Sequence, residues 1–228
     1  MTIRYVDPIS LNPLVFAGEA WHDPISGKEY PVIRGVARFC PANNYSASFG
    51  YQWNRFDRTQ LDNHSGVDQS YQRFYGETGW DADDLNNCTV LEVGSGAGRF
   101  SEVFLRTTSG VLYSVDFSSA VDTNRHNNAI YGDRLQLSQA SIYELPFADE
   151  SFDKVFCLGV LQHTPSFTRS VEALIAKAKI GGEIVVDFYP IKGWYTKVHA
   201  KYMVRPVTKR LSKPVLLFLI RLNIRWML

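Results

Sequence analysis

Seven consecutive residues, Glu92-Val93-Gly94-Ser95-Gly96-Ala97-Gly98, carry the densest chemical signal in the chain. Alternating glycines let a backbone turn tightly and leave room for a ligand to lie against the main chain. A helix starting just after them points free N–H groups and the positive end of its dipole at that ligand. Glu92 stands immediately before the loop. A pyrophosphate-binding loop has no evident use for an acid there, whereas a ligand that lacks phosphate and carries an ammonium group does. A GxGxxG dinucleotide fingerprint also needs a third small residue at position 99, where this chain has Arg99. The plain alternative is a glycine-rich turn with a solvated glutamate.

Two further residues could do chemistry. Asp116 follows an apolar run, and a carboxylate at a strand end can accept hydrogen bonds from both hydroxyls of a ribose. Its alternative is the N-cap of the next helix, although Ser118 or Ser119 could cap instead and leave Asp116 free. His163, in Gly159-Val160-Leu161-Gln162-His163-Thr164, is either a general base or a residue fixing a turn, and the turn is the preferred reading. Phe152 and Asp153 are expected to stabilise the entry to a strand.

The elements around these residues alternate. Val90–Val93, Val111–Val115, Leu135–Ala140, Lys154–Leu158 and Glu183–Phe188 read as strands. Ser70–Trp80, Arg99–Arg106, Ser118–Ile130 and Phe167–Lys179 read as helices, the last stopped by Gly181-Gly182. Such alternation predicts an α/β fold, a Rossmann-like, doubly wound, mostly parallel sheet with helices on both faces.

With 228 residues, 45% of them apolar, the chain can form one sizeable core with an appendage. A net charge of +1 gives no global field for nucleic acid. Three widely spaced cysteines, Cys40, Cys88 and Cys157, suit neither a zinc site nor a disulfide framework. Cys88 and Cys157 are expected to be buried thiols, and a cytoplasmic location fits them. No signal peptide and no run long enough to span a bilayer are evident.

From about Thr89 to Tyr189 the chain resembles the core of class I S-adenosylmethionine-dependent methyltransferases, of the small-molecule, type 11 kind. The blocks are Val90 to Phe100, Val111 to Val121, Glu144 to Ser166 and Gly181 to Phe188, in family order. The resemblance implies that Glu92, Gly94, Ser95 and Gly96 line the methionine end of the cofactor, with Gly98 shaping the loop. It implies that Asp116 binds the ribose, that Phe117 flanks the adenine, and that Ser141 and Ile142 sit where the adenine edge is read. The family often has Asp at the position of Ser141. Leu158 and Gly159 end the fourth core strand, facing the methionine portion. The implied activity is transfer of a methyl group from S-adenosyl-L-methionine to a small-molecule acceptor of sugar, lipid-linked or natural-product type, with no metal and no nucleic-acid partner. Two rivals remain: a methyltransferase-like binding protein without turnover, and a nicotinamide-dependent oxidoreductase.

The ends are less regular. Residues 1–69 read as an N-terminal extension, 70–190 as the cofactor-binding core, and 191–228 as a basic, apolar helical tail. Tyr45 to Phe56 interleaves aromatic and polar residues and serves equally as a lid or as packing. Tyr30 to Phe39 resembles the end of a zinc-ribbon-like module without its cysteine pairs. The tail, with no acid after Asp187 and basic residues from Lys192 to Arg225, could lie on a membrane surface or touch a lipid-linked acceptor; packing on protein, or a chain cut short relative to its relatives, is the preferred reading. The antiparallel hairpin that usually closes the family's sheet is not discernible in it.

Overall fold

A computed structural model describes residues 3–41, 50, 51, 55, 58–189, 208, 210–212, 214–216, 218 and 219. Among the described residues nine strands form one sheet: β1 (Val15–Ala17), β2 (Ala20–His22), β3 (Glu29–Ile33), β4 (Val36–Arg38), β5 (Thr89–Val93), β6 (Val111–Asp116), β7 (Leu135–Gln139), β8 (Phe152–Cys157) and β9 (Ala178–Val186). Their order is β1-β2-β3-β4-β7-β6-β5-β8-β9. The pairs among β5 to β9 are all parallel, as is β4 with β7, and β1 to β4 form an antiparallel meander. Helices lying wholly within the described residues are α1 (Asp62–Ser65), α2 (Gln69–Thr78), α3 (Arg99–Thr107), α4 (Ala120–Asn127) and α5 (Phe167–Lys177).

The order reverses at β5, which pairs with β6 on one side and β8 on the other. A doubly wound sheet opens its ligand crevice beyond the carboxyl end of the strands at such a switch point. That end of β5 leads into the glycine loop. Every residue of β5 is buried, as expected of a central strand covered on both faces. Its period of two sends Leu91 and Val93 to one face and Val90 and Glu92 to the other. Leu91 and Val93 join a core with Tyr5, Phe39, Tyr113 and Phe147. Val90 joins a second core with Phe74, Trp80, Phe100 and Phe104. Glu92 therefore lies on the side of α2 and α3, in otherwise apolar company.

The N-terminal strands are more regular than the extension expected from the sequence. They continue the core sheet, and Tyr5, ahead of β1, packs on them: it stacks on Trp21 of β2 at 4.4 Å and lies 5.1 Å from Phe147. The Ile3 N–H donates to the Tyr113 hydroxyl at 3.1 Å.

Three boundaries differ from expectation. The α4 helix is shorter than Ser118–Ile130, because from Ala129 the chain tightens into 3-10 turns interrupted at Gly132. The α5 helix stops at Lys177, since Ala178 is already extended, and β9 runs through Gly181-Gly182. Phe152 pairs with Ala178 and Lys154 with Glu183, so residues 179–182 bulge out opposite Asp153. The glycine pair thus serves the bulge instead of a helix stop: Gly181 has φ +79°, and a Cβ on Gly182 would lie 2.9 Å from the Asp153 carbonyl oxygen. Asp153 does hold the strand entry, accepting from the Thr89 N–H at 2.8 Å and from Lys179 at 2.6 Å. Cys157 is buried, whereas Cys88 is half-buried with its thiol against the Asp84 carbonyl oxygen at 3.0 Å.

Residues 3–188 belong to one compact unit, and 189–228 group separately. Within the second, Thr208, Pro214–Leu216, Phe218 and Leu219 are helical, and most of the predicted tail lies outside the described residues. So does most of the aromatic stretch from Tyr45 to Phe56. Of that stretch, Gly50 packs on Ser119, beside the loop that follows Asp116. Among the described residues no strand follows β9, and no helix is long and apolar enough to cross a membrane.

Candidate cofactor site

The loop after β5 is built on three left-handed glycines: Gly94 at φ +88°, Gly96 at +54° and Gly98 at +87°. The Gly94 and Ser95 N–H groups donate to the Val115 carbonyl oxygen at 2.7 and 3.2 Å, folding the loop back over β6. A Cβ on Gly94 would crowd Val160, with Cγ1 at 2.9 Å, so the absent side chain lets the turn after β8 close on the loop. Gly98 caps α3 and cannot carry a side chain either, because Asn124 and Asn128 occupy that space.

Glu92 lies beneath the loop, 2% exposed. Its Oε2 accepts from the Ser101 hydroxyl of α3 and from the Ser114 hydroxyl of β6, the latter at 2.8 Å. Its Oε1 is buried with no hydrogen-bond partner among the described residues. Burial pushes this carboxyl up to about 7, against the pull of the two serines, and nearby Asp116 adds to the rise while Arg99 opposes it. A buried acceptor without a donor is costly. It suits a ligand bringing an N–H donor and positive charge, which is what S-adenosylmethionine presents at its amino-acid end. A pyrophosphate would meet repulsion instead.

Asp116 ends β6 and is not free as expected. Its Oδ2 accepts from the Gly96 N–H at 2.7 Å, and its Oδ1 from the Ser118 N–H and hydroxyl at 2.7 and 2.6 Å. The Ser118 hydroxyl, accepting from the Ala120 N–H at 3.2 Å, serves the helix start. An ionised carboxylate has about four acceptor positions, so Oδ2 retains one for a ribose hydroxyl. Burial raises the Asp116 carboxyl as well, against its three donors. Two raised acids bracketing the loop favour a cationic ligand. Asp116→Ala is expected to weaken S-adenosylhomocysteine binding about 5- to 100-fold by calorimetry, since it frees the Gly96 N–H and removes a charged acceptor.

The remaining predicted residues differ in burial and partners. Ser95 is buried, and its hydroxyl oxygen has no partner among the described residues. Phe117 and Ser141 are half-buried: the Phe117 carbonyl accepts from Gln139 at 3.1 Å, and the Ser141 hydroxyl accepts from the Tyr143 N–H at 3.2 Å. Ile142 and Leu158 are packed into the two cores. The Gly159 N–H donates to Asp187 Oδ1 at the end of β9, and Arg73 of α2 holds the other oxygen at 2.5 Å. His163 is exposed in the 3-10 turn Leu161–His163, where its N–H donates to the Val160 carbonyl oxygen at 2.8 Å.

Sequence reasoning missed the Glu92 donors, and Arg73 and Asp187 at Gly159. A partial signal existed in Asn124 and Asn128, two amides one helical turn apart. Both are fully buried on α4 or just beyond it, and reach the glycine loop.

Comparison with known proteins bears on the family and the fold. Residues 91–186, from within β5 to the end of β9, match the family model described as a methyltransferase domain. A tRNA U34 carboxymethyltransferase of Nautilia profundicola is 31% identical over 112 residues, covering 48% of this chain and 37% of that protein. A ubiquinone/menaquinone biosynthesis C-methyltransferase of Geotalea daltonii is 28% identical over 126 residues, covering 53% and 52%. The chain thus spans about half or less of the length of these relatives. In fold, it superposes on a proposed S-adenosyl-L-methionine-dependent methyltransferase of Methanococcus maripaludis with a TM-score of 0.51, at 15% identity over 75% of each chain. The match to the methyltransferase domain family thus runs over residues 91–186, and the sheet that carries it is Rossmann-like.

Proposed function

We propose that the protein is an S-adenosyl-L-methionine-dependent methyltransferase acting on a small-molecule acceptor. The observation that carries the reading is the unpartnered, buried Glu92 Oε1 beneath a loop of left-handed glycines. When bound, the cofactor supplies a methyl group already activated on a sulfonium, which passes to a nucleophile by direct displacement. Glu92 accepts from the ammonium, Asp116 accepts from the ribose, and the glycine loop lets the ligand approach the main chain. The protein's work is positioning and the exclusion of water. The net charge of +1 favours a small acceptor over nucleic acid. The C-methyltransferase name among the relatives points the same way, and the tRNA-modifying relative points to the alternative.

Incubation with S-adenosyl-L-methionine and a panel of hydroxylated, phenolic and quinol small molecules is expected to release S-adenosylhomocysteine with at least one of them. Cofactor binding with no release across the panel would make the protein a binder without turnover. His163 is assigned to the turn after β8. His163→Ala should leave S-adenosylhomocysteine affinity within about twofold, as for other exposed positions. A turnover loss of 100-fold or more would instead mark it as a general base.

A further inference from the structure

The Glu92 carboxylate does not reach its serine partners in isolation; a second tier of buried amides stands behind them. Asn124 of α4 is fully buried. Its Nδ2 lies 2.9 Å from the Ser101 hydroxyl oxygen and 3.3 Å from that of Ser114. An amide nitrogen can only donate, and a hydroxyl has a single hydrogen. Each serine that accepts from Asn124 must therefore turn its own hydrogen elsewhere, and both turn it to Glu92 Oε2. The amide is also oriented. Its Oδ1 accepts from Asn128 Nδ2 at 2.8 Å, and that same nitrogen donates to the Gly98 carbonyl oxygen at 3.1 Å.

We infer that Asn124 is a positioning residue for cofactor binding: through Ser101 and Ser114 it commits one oxygen of Glu92 to the protein and leaves the other for the ligand's ammonium, and through Asn128 it ties that acid to the glycine loop. The inference rests on the cofactor reading given above. The arrangement is directional, because every proton in the chain Gly98–Asn128–Asn124–serines–Glu92 has one available acceptor. Reversing the amide, or replacing its nitrogen by an acceptor, would call the serine hydrogens back toward α4. Oε2 would then lose its donors, and the carboxylate would lose the hydrogen bonds that favour its charged form.

The other groups acting on Glu92 are Asp116 at the end of β6 and Arg99 at the start of α3, and the buried Cys157 thiol of β8 in turn feels its charge. From α4 it faces the neutral Asn124. Asn124→Asp keeps the size of the side chain but places a second acid on the same serines, so that two carboxyl groups titrate as a pair whose last proton leaves at higher pH.

The test is calorimetric titration with S-adenosylhomocysteine from pH 6 to 9, on the unsubstituted chain, Asn124→Asp and Ser114→Ala. Ser114→Ala removes a single donor and serves if Asn124→Asp fails to fold. Affinity in the unsubstituted chain should rise with pH and level off near the Glu92 midpoint. Asn124→Asp should move that midpoint up by about 1 unit or more and weaken binding about tenfold at pH 7. Ser114→Ala should move it the same way by less. A purely structural role would lower the melting temperature and leave the midpoint in place, and unmoved midpoints in the folded variants would overturn the inference. No binding by the unsubstituted chain would overturn the cofactor reading itself, and this inference with it.

Discussion

Glu92→Gln is expected to weaken S-adenosylhomocysteine binding about 10- to 100-fold at pH 8, the range for losing a hydrogen bond to a charged group, while making the ligand-free protein more stable. The amide oxygen can still accept from Ser101 and Ser114, as Glu92 Oε2 does. The amide nitrogen then takes the place of Oε1 and meets an ammonium with hydrogens of its own. Stability moves the other way because the carboxyl titrates near 7 in the fold, above its ordinary value of 4.5. Between those values the folded state holds a proton that the unfolded chain has lost, so stability is greatest below pH 4.5. It falls as pH rises through 7 and stays reduced above, by about 3 kcal/mol in all. Glu92→Gln removes that loss. Denaturant melts of the two proteins at pH 5 and pH 8 check the sign: the gap should widen at pH 8, and a narrower one would contradict the buried, unpartnered state of Glu92. An acid held at a cost to stability is the trade commonly found at binding sites.

The second large effect is expected at Gly98. A left-handed backbone costs a residue with a Cβ about 1–2 kcal/mol, and here the Cβ also has nowhere to go. It would lie 2.5 Å from Asn128 Nδ2 and closer still to the Asn124 amide oxygen, both in fully buried side chains. Gly98→Ala should therefore lower the thermal midpoint by about 5–10 °C and weaken S-adenosylhomocysteine binding more than tenfold, because the displaced amides are those that reach Glu92. Gly181→Ala is the matched control. Its φ of +79° is similar, but nothing lies within 4 Å of the added carbon. It should show the backbone cost alone, about 1 kcal/mol, with binding unchanged. Equal effects at the two glycines would mean that the packing around Gly98 is not rigid.

How much of this was legible beforehand depended on whether the determining contacts are local. The alternation of apolar runs and helical patterns placed all five core strands, because a parallel sheet covered on both faces leaves continuous apolar runs such as Val155–Leu158. Gly181-Gly182 misled, because a glycine pair after a helix reads as a stop until the partner strand shows that it bulges opposite Asp153. The N-terminal meander was missed as sheet for a related reason. Its strands are three to five residues long and owe their place to pairing with β7, about a hundred residues away, and to Tyr5, which stacks on Trp21 of β2 and packs at a tilt against Tyr113 and Phe147. At the site, residue types fixed the loop, the acid before it and the carboxylate after β6. They could not show that Asp116 is held by three donors, nor that Glu92 shares its charge with Ser101, Ser114 and, through them, Asn124. Those pairings cross elements, and each residue alone looks like ordinary helix or strand sequence.

The most direct test of the central claim is calorimetric titration of the chain with S-adenosylhomocysteine at pH 8, with NADH and NADPH as parallel ligands. Saturable one-to-one binding of S-adenosylhomocysteine alone is the expected result. Binding of a nicotinamide cofactor in its place, or of none of the three by the folded chain, would contradict the assignment of the Glu92–Gly98 loop.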